Sequence, residues 1–276
     1  MPEGHTLRRL ANELDAAFGG RPARVSSPQG RFAADAALLD GADVIGADSA
    51  GKHLFVEFAG DRIVHIHLGL IGGLHVGRGV APTPVGQVRL RLANDTAYAD
   101  LRGATRCDLV TAGRRDEVVA ALGPDPLRPD AEPERAWRRI SHSPRPIGDL
   151  LMDQTVVAGV GNVYRAEVLF RHRMDPLRPG RTLRRAQWQA IWDDLVVLMA
   201  EGVRTGRIDT VRPEHTPEAM GRPPRVDDHG GEVYVYRRNE QPCHVCGATV
   251  RTTALGGRNL FWCPRCQRKF RSRALG

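Results

Sequence analysis

Four cysteines near the C-terminus place the strongest constraint on what this chain can form. Cys243 and Cys246 make one pair, Cys263 and Cys266 make a second, and 16 residues separate the pairs. This spacing lets two knuckles converge on one tetrahedral zinc ion through four thiolate sulfurs. A segment this short buries too little apolar surface to fold alone, so we expect one structural zinc ion to stabilise it. The alternative is four reduced cysteines packed in a core.

The residues between the cysteine pairs predict a hairpin with a basic surface. The segments TVRTTA and NLFWC flank Gly256 and Gly257, which favour a turn. Basic residues surround this hairpin: Arg251, Arg258, Arg265, Arg268, Lys269, Arg271 and Arg273. Such density is typical of contact with nucleic acid phosphates, although a solvated basic tail has the same composition. Arg258 lies at the hairpin tip and is our candidate to enter a groove.

The overall charge favours the same kind of partner. The chain has 40 lysines and arginines against 32 acidic residues, a formal net charge of +8. This balance favours a polyanionic partner, but it also describes many ordinary surfaces. Only two of the basic residues, Lys52 and Lys269, are lysines. Chemistry that needs a side-chain amine therefore has two residues to choose from.

Hydrophobic patterning and the N-terminus predict a cytoplasmic protein. No apolar run approaches the roughly 18 residues that a membrane span needs. The N-terminal segment MPEGHTLRRL has neither the apolar region nor the cleavage site of a secretion signal. In a reducing compartment, five cysteines argue for metal binding rather than disulfides. The fifth, Cys107, lies in a strand-like stretch and is expected to be a small buried hydrophobe rather than a nucleophile.

The first half of the chain predicts one amphipathic helix followed by strands. Within residues 1–20, one face carries the apolar side chains Leu7, Leu10, Ala11, Leu14 and Phe18. Gly19 and Gly20 then stop the helix. Short, partly alternating segments follow: HLFVEF (53–58), IVHIHL (63–68), GLHV (73–76), VRLRLA (88–93) and RCDLV (106–110). This pattern predicts an antiparallel sandwich or barrel.

A proline-rich stretch divides the chain. LGPDPLRPDAEP (122–133) holds four prolines, which exclude regular structure and indicate a linker. Helical periodicity follows in WRRI, IGDLLMDQ (147–154), NVYRAEVLFRH (162–172) and residues 183–201, and an irregular polar connector occupies 204–231. The predicted fold is multidomain α+β, with a sandwich domain at 1–121, a linker at 122–133, a helical domain at 134–231 and a zinc finger at 232–276.

A glycine-rich turn interrupts the helical half. In LLMDQTVVAGVGNVYRAEVLF, Gly159, Gly161 and Asn162 fall between two predicted helices. Glycines allow close approach, and the start of the second helix offers free backbone N–H groups that suit an anion. A plain tight interhelical turn is the alternative, because the GxGN pattern alone is a weak signal.

Several motifs together resemble one known family. They are MPEG at the N-terminus, GKHL around Lys52, HLGL around Leu70, LGPDPL in the linker, LMDQTVVAGVGNVYRAEVLF and the four-cysteine motif. In this order, and across essentially the whole chain, they are similar to those of the formamidopyrimidine-DNA glycosylase and endonuclease VIII family. The resemblance implies an N-terminal β-sandwich, a helical domain with a helix-two-turn-helix motif, and a C-terminal zinc finger.

The resemblance assigns the chemistry to the N-terminus, which on sequence alone would be an ordinary exposed end. Removal of Met1 leaves Pro2 with a secondary amine, and an α-amine ordinarily has a pKa of roughly 7.7 to 8.0, so a useful fraction is nucleophilic at neutral pH. The family implies that Pro2 attacks C1′ of the damaged nucleotide and forms an iminium intermediate. It also implies that Glu3 handles protons and that Lys52 holds a phosphate or the opened sugar.

The resemblance also assigns contacts with DNA. Leu70 matches a side chain that fills the space left when the damaged base is flipped out of the stack. Arg102 is expected to meet the opposite strand. Asn162 and Arg258 are expected to bind backbone phosphates, Asn162 from the interhelical turn and Arg258 from the finger.

Three departures from the family pattern bear on activity. Thr6 stands where the family commonly has a second glutamate, so proton handling differs or activity is weaker. The loop after YADLRG lacks the phenylalanine of formamidopyrimidine-type members, which leaves the reading of the opposite base open. The EGH start and Gln154 favour the endonuclease VIII side and therefore oxidised pyrimidines.

His65 and His67 share one face of a predicted strand, as two metal ligands would. No third ligand is evident in the sequence. We expect structural hydrogen bonding within the HLG motif instead of a second metal site.

The sequence as a whole predicts a bifunctional DNA glycosylase and AP lyase that excises oxidised bases, pyrimidines in the first place, and cuts the strand by β,δ-elimination. Its expected partner is double-stranded DNA that contains oxidised bases or abasic sites. We expect a monomer associated with the nucleoid. The alternatives are a glycosylase that prefers 8-oxoguanine and formamidopyrimidines, a non-catalytic sensor of damaged DNA, and a zinc protein that binds nucleic acid generally.

Overall fold

The computed structural model describes residues 2–226 and 231–271. The chain divides into two compact units, residues 1–121 and 122–276, and each has its own hydrophobic core. Arg273, predicted to flank the hairpin, and residues 227–230 of the predicted connector lie outside the described residues.

The N-terminal helix α1 spans Gly4–Phe18 and packs onto the core of the first unit. All five apolar residues predicted to share one face are buried there, which confirms the predicted helix. The helix stops at Gly19, where a Cβ atom would lie 2.6 Å from the carbonyl oxygen of Asp15. Burial of one such leucine or phenylalanine side chain contributes about 1.5–3 kcal/mol. The helix therefore anchors the N-terminus firmly against the sheets.

Two antiparallel sheets form the body of the first unit. The strands are β1 Arg21–Pro22, β2 Arg24–Ser26, β3 Asp43–Ala50, β4 His53–Phe58, β5 Arg62–His67, β6 Gly73–Arg78, β7 Val88–Ala93, β8 Ala97–Arg102 and β9 Arg106–Val110. One sheet has the order β1-β3-β4-β5-β9 and the other has the order β2-β7-β8-β6. Helix α2 spans Ala33–Leu39, and helix α3 spans Ala112–Ala120.

The facing sides of the sheets bury one core, as expected of a sandwich. Leu54 and Ile66 of the first sheet and Leu92 and Leu101 of the second all belong to it. All five predicted strands are present, with small shifts at their ends. Strands β1, β2, β3 and β8 and helices α2 and α3 were not predicted. In β3, small and polar residues hide the alternation, and a register irregularity between Val44 and Gly46 interrupts it further.

The second unit is helical and ends in a hairpin. Its helices are α4 Pro133–Ser141, α5 Ile147–Leu150, α6 Asn162–Arg171, α7 Arg185–Thr205 and α8 Pro217–Met220, and its strands are β10 Arg251–Leu255 and β11 Arg258–Trp262. Helix α5 covers only half of the predicted helix 147–154. The carboxylate of Asp153 accepts hydrogen bonds from the backbone N–H and hydroxyl of Thr155, and this side-chain turn replaces helical bonding. Within the described residues, no helix has the length and hydrophobicity needed to cross a bilayer.

The proline-rich segment 122–133 differs from the expected linker. It has no regular structure before α4, as its prolines require, but residues 122–126 are buried in the second unit. The backbone N–H of Gly123 donates to Gln154, and the carbonyl of Pro124 accepts from Ala158. A Cβ atom on Gly123 would lie 2.4 Å from the backbone of Val156, so glycine is required there. The segment is packed onto the glycine-rich turn.

A buried carboxylate joins helix α6 to the start of the finger. Glu167 is fully buried, and its oxygens accept hydrogen bonds from the backbone N–H groups of Tyr234, Val235 and Tyr236 and from the hydroxyl of Thr210, at 2.6–2.8 Å. Four donors satisfy a carboxylate well enough to offset its removal from water. The residues that lead into the zinc finger are therefore fixed to the helical part of this unit.

Candidate functional site

At the N-terminus, the residue proposed to supply the amine, Pro2, directly precedes a buried carboxylate, that of Glu3. Pro2 is half-buried, and Glu3, the N-cap residue of α1, is fully buried with an exposed fraction of 0%. The helix dipole favours negative charge at this end of α1. The sequence predicted these two residues as nucleophile and proton carrier, and the structure puts them at the first turn of a rigid helix.

His5 and Thr6 occupy the same turn. His5 is buried, and burial, followed by the charges of Arg9 and the N-terminus, lowers its pKa to about 4. Its Nε2 lies 3.3 Å from the hydroxyl of Thr6. A neutral imidazole and a hydroxyl thus occupy the turn that begins at Glu3, and Thr6 stands where the family commonly has a second glutamate. The role of His5 was not predicted, and only its place in the GHTL motif could have pointed to it.

Lys52 lies in the turn between β3 and β4. Gly51 has φ +57°, the conformation that a two-residue hairpin turn of this kind requires at its first central position. Arg8 of α1 donates to the carboxylate of Asp48 at 2.5 Å and to the carbonyl of Ser49 at 2.6 Å. These bonds tie the first turns of α1 to the end of β3. Lys52 and the N-terminal residues therefore lie at the same end of the sandwich.

Three histidines form a group next to the Lys52 turn. Nδ1 of His53 lies 2.8 Å from Nε2 of His65, and Nδ1 of His67 lies 3.0 Å from the hydroxyl of Thr105. Nδ1 of His67 also accepts the backbone N–H of Gly69 at 3.2 Å, so hydrogen bonding within the HLG motif is confirmed. Among the described residues, only the four finger cysteines bring three or more candidate ligand atoms close enough for a metal. His53 was not predicted to belong to this group.

Burial keeps this group uncharged. It is the largest cause that lowers the pKa of His53 to about 3 and that of His65 to about 4. The pKa of His67 is lowered by burial and then by the nearby charge of Lys52. The positive charge near these rings therefore comes from Lys52, Arg106 and Arg114 and not from the imidazoles.

Leu70 lies on a rigid loop between β5 and β6. Its side chain is 55% exposed, and that of its neighbour Ile71 is 89% exposed. The loop is fixed at Gly69, which has φ +71° and where a Cβ atom would lie 2.4 Å from Cγ2 of Thr105. An exposed apolar pair on a braced loop is suited to enter another apolar environment, such as a base stack.

Arg102 ends strand β8 next to the Leu70 loop. Its guanidinium donates to Asp100 at 3.0 Å and to the carbonyl of Val85 at 3.1 Å. Asp100 is also held by Arg91 through two bonds, at 2.6 and 2.8 Å. The following Gly103 lies against the backbone of the Leu70 loop. The predicted residues of the first unit therefore share one end of it, and Arg102 is partly engaged within the protein.

The predicted anion-binding turn is braced from inside. The side chain of Gln154 donates to the carbonyls of Met152 and Val160, both at 2.9 Å, and accepts the N–H of Gly159 at 3.0 Å. Gly159 has φ +83°, which explains the glycine there. Gln154 thus stabilises the conformation of the turn through hydrogen bonds to its backbone.

Asn162 and Arg258 are brought together. Asn162 is the first residue of α6, is 6% exposed, and donates from Nδ2 to the carbonyl of Asn259 at 2.9 Å. Asn259 follows Arg258 in β11, and the buried Arg165 donates to both the Asn162 side chain and the same carbonyl. The turn and the fingertip form one surface, and Asn162 retains a second amide hydrogen for a ligand.

The finger cysteines fit a zinc ion. Their Sγ atoms all lie within 4.8 Å of one another, with Cys243 and Cys266 3.9 Å apart and Cys246 and Cys263 3.5 Å apart. Sulfurs about 2.3 Å from a tetrahedral zinc are roughly 3.8 Å from each other. The predicted hairpin turn is present, with φ +58° and +72° at its two glycines. Cys107, in contrast, is buried in the sandwich, where burial raises its pKa to about 12, so its thiol is not a nucleophile.

Three known domain families match this chain. Residues 1–107 match the formamidopyrimidine-DNA glycosylase N-terminal domain, and residues 122–213 match the formamidopyrimidine-DNA glycosylase H2TH domain. Residues 240–268 match the zinc finger found in FPG and IleRS. The matches confirm the predicted sandwich, helix-two-turn-helix domain and four-cysteine finger.

Named relatives align along nearly the whole chain. Endonuclease 8 1 of Mycobacterium tuberculosis is 53% identical over 97% of this chain and 100% of the relative. DNA-(apurinic or apyrimidinic site) lyase Nei2 of Mycolicibacterium smegmatis is 34% identical over 97% of this chain and 99% of the relative. Formamidopyrimidine-DNA glycosylase of Thermus thermophilus is 32% identical over 97% of both chains.

Solved structures have the same fold. The MutM (Fpg) protein of Thermus thermophilus superposes with a TM-score of 0.72 at 28% identity, over 98% of this chain and 100% of that chain. The Lactococcus lactis Fpg in complex with DNA containing an abasic site superposes with a TM-score of 0.77 at 21% identity, over 97% and 100%. The chain therefore belongs to the formamidopyrimidine-DNA glycosylase and endonuclease VIII family.

Proposed function

We propose that this protein is a bifunctional DNA glycosylase and AP lyase that excises oxidised pyrimidines through an iminium intermediate on Pro2. The N-terminal arrangement carries the proposal: Pro2 directly precedes the buried Glu3, and Arg8 ties the same helix to the Lys52 turn. Membership of the family supports this activity, as do relatives named Endonuclease 8 and AP lyase.

The proposed chemistry starts at the amine of Pro2. Its lone pair attacks C1′, the bond between C1′ and the base breaks, and the bonding electrons leave with the base, which takes a proton. The Pro2 nitrogen loses its proton, and its lone pair then opens the sugar ring as O4′ takes a proton, which leaves an iminium between C1′ and Pro2. Loss of a C2′ proton expels the 3′ phosphate, and a second elimination expels the 5′ phosphate. Glu3 is the proposed group that supplies and accepts these protons.

The remaining predicted residues would hold the DNA. Lys52 would bind a phosphate or the opened sugar near Pro2, and Leu70 would fill the space left by the flipped base. Arg102 would meet the opposite strand after exchanging its partner Val85 for DNA. Asn162 and Arg258 would bind backbone phosphates together, because Asn259 links them. We further propose that one structural zinc ion keeps Arg258 in place.

The lesion class is the finer part of the proposal. Identity of 53% to Endonuclease 8 1, against 32% to a formamidopyrimidine-DNA glycosylase, favours oxidised pyrimidines. The EGH start of the sequence favours the same side. A glycosylase that prefers 8-oxoguanine and formamidopyrimidines is the second candidate. Single-turnover rates on matched duplexes with thymine glycol, 8-oxoguanine or a formamidopyrimidine separate the two.

Borohydride reduction tests the proposed reaction. With an abasic or thymine-glycol duplex, protein whose N-terminal methionine has been removed should form a covalent adduct, and Pro2→Gly should sharply weaken it. Glu13→Gln, which changes an exposed residue on α1, should trap like the wild type. Absence of any adduct from the processed wild type would exclude the proposed chemistry. Lesion-specific binding without an adduct would favour a non-catalytic damage sensor.

A further inference from the structure

Two imidazoles beside Lys52 share a hydrogen bond that the chemistry above does not use. His53 begins β4 directly after Lys52, and its Nδ1 lies 2.8 Å from Nε2 of His65 in β5. The ring of His67 is centred 5.1 Å from that of His53. The strand register accounts for this grouping, because Phe55 opposes His65, so His53 and His67 follow on the same face.

The inner ring of this pair is fixed. His65 is 1% exposed, and the ring of Phe55 stacks on it with the centroids 4.8 Å apart. Asp108 opposes His65 in β9, but its carboxylate is paired with Arg106 at 3.5 Å. The inner ring therefore holds the outer ring of His53 in one orientation.

Cations dominate the charges that face the pair. Lys52 lies near His67, Arg106 acts on all three histidines, and Arg114 of α3 acts on His65. Together with burial, these charges keep the pKa of both paired imidazoles well below neutral pH. At neutral pH the pair is uncharged and shares a single hydrogen atom.

The position of that hydrogen follows from His65. Its Nδ1 is buried and has no hydrogen-bond partner among the described residues. If Nδ1 of His53 were the donor in this hydrogen bond, the hydrogen of His65 would be on its buried Nδ1 and would have no acceptor. Proteins avoid a buried N–H group without an acceptor more strictly than a buried acceptor without a donor. His65 therefore donates from Nε2 to Nδ1 of His53. The hydrogen of His53 must then be on its Nε2.

This tautomer gives His53 a donor that is open to a ligand. The half-buried His53 makes no hydrogen bond through Nε2 with any residue that the structure describes, and Nε2 is not among the buried atoms without a partner. It is therefore open to solvent, on the residue that directly follows Lys52 and beside His67, on which the charge of Lys52 acts. A neutral N–H next to a cation suits a phosphate oxygen that the cation already attracts.

We propose that His53, held in its Nε2–H tautomer by His65, donates a hydrogen bond to a backbone phosphate of the damaged strand in the Lys52 site. His65 is then a positioning residue that never touches DNA. This inference rests on the proposed function in taking damaged DNA as the ligand. The proposal adds His53 as a phosphate contact and the buried His65 as its support, and neither residue is among the predicted site residues.

Binding to an uncleavable abasic analogue, a tetrahydrofuran nucleotide in a duplex, tests the inference without any step at Pro2. The full-length, zinc-loaded protein is titrated and its Kd measured by fluorescence anisotropy. His53→Asn keeps an acceptor near the Nδ1 position but lacks the outward N–H, and should weaken binding about tenfold. His65→Phe keeps the stacked ring but frees His53, and should weaken binding to a similar extent. His65→Gln keeps a donor near Nε2 and should stay within about twofold of the wild type.

A neutral methylphosphonate, placed in turn at each phosphate flanking the analogue, identifies the contact. At one position the substitution should weaken the wild type but leave the His53→Asn variant nearly unchanged, a non-additivity that a purely structural role would not produce. Wild-type affinity in His53→Asn, or equal affinity in His65→Phe and His65→Gln, would overturn the inference. Failure of borohydride trapping would instead count against the proposed reaction and leave this result standing.

Discussion

Single residues near the N-terminus owe their protonation states mainly to burial. His5, His53 and His65 are kept neutral because the interior disfavours a charged imidazole, whereas the amine of Lys52 remains the local cation. Glu3, the fully buried carboxylate of the first turn, directly follows Pro2 in the chain.

These histidines make the stability of the folded protein depend on pH. Their pKa values in the folded protein, about 3 to 4, lie below the ordinary value of 6.5, so unfolding takes up protons between these limits. The contribution of these histidines to the free energy of unfolding should therefore be complete above pH 6.5 and decrease as the pH falls toward 4. Each such histidine contributes a slope of up to about 1.4 kcal/mol per pH unit. Urea unfolding between pH 4.5 and 7.5 measures this.

The His65→Phe variant tests the contribution of the paired histidines. Groups away from this site titrate equally in the variant and the wild type, so the difference between the two curves reports His65 together with its effect on His53, whose pKa the charge of His65 also lowers. The variant should lose part of the acid slope, and its stability relative to the wild type should rise as the pH falls. Parallel curves over the whole range would show that His65 is not held neutral in the folded state.

Among the structural elements, helix α6 connects the most features of the second unit. Its first residue, Asn162, meets the hairpin at Asn259, and its buried Glu167 binds the segment that leads into the finger. One helix thus fixes both the predicted phosphate-binding turn and the base of the zinc finger. The sequence NVYRAEVLF predicted the helix, but a lone glutamate within it gave no sign of this role.

Changing Glu167 to glutamine should destabilise the second unit by about 3–5 kcal/mol, because an amide group would face backbone donors in a buried site. All four tryptophans lie between residues 137 and 262, so urea unfolding followed by tryptophan fluorescence reports this unit. Glu201→Gln, at an exposed ion pair on α7, should leave stability nearly unchanged. An equal effect of both substitutions would refute the anchoring role of Glu167.

The zinc finger should depend on its metal. Chelation should unfold the hairpin, shift the emission of Trp262, and weaken DNA binding at least tenfold, because Arg258 would lose its support. Cys263→Ala should have the same effect without chelator. Cys107→Ala, which changes a buried thiol outside the finger, should retain one zinc per chain. Metal-free protein that binds damaged DNA as tightly as the zinc-loaded form would contradict this view.

Across the whole molecule, the sequence predicted the features that residue spacing and apolar periodicity determine. The cysteine spacing predicted the finger, and apolar periodicity predicted α1, the five strands and the main helices. Strand β3 was not predicted, because small and polar residues break the alternation of apolar and polar side chains. The prolines of segment 122–133 exclude regular structure and so predict a linker, but they do not prevent packing, and Gly123 packs against Val156.

The site was predictable only in part. Family motifs pointed to Pro2, Glu3 and Lys52, whereas His53 and Glu167 lie inside such motifs without any sign of their roles. Those roles depend on cross-strand register and on donors far along the chain. Such contacts between distant residues leave no local pattern in a single sequence.

Mapping the borohydride adduct by mass spectrometry tests the central claim most directly. Amines in the processed chain are limited to the Pro2 nitrogen and the side chains of Lys52 and Lys269, so the assignment has few candidates. After trapping with an abasic duplex and digestion, the sugar-derived mass should lie on the N-terminal peptide that begins at Pro2. An adduct on the peptide containing Lys52 or Lys269, with an unmodified N-terminal peptide, would contradict the account.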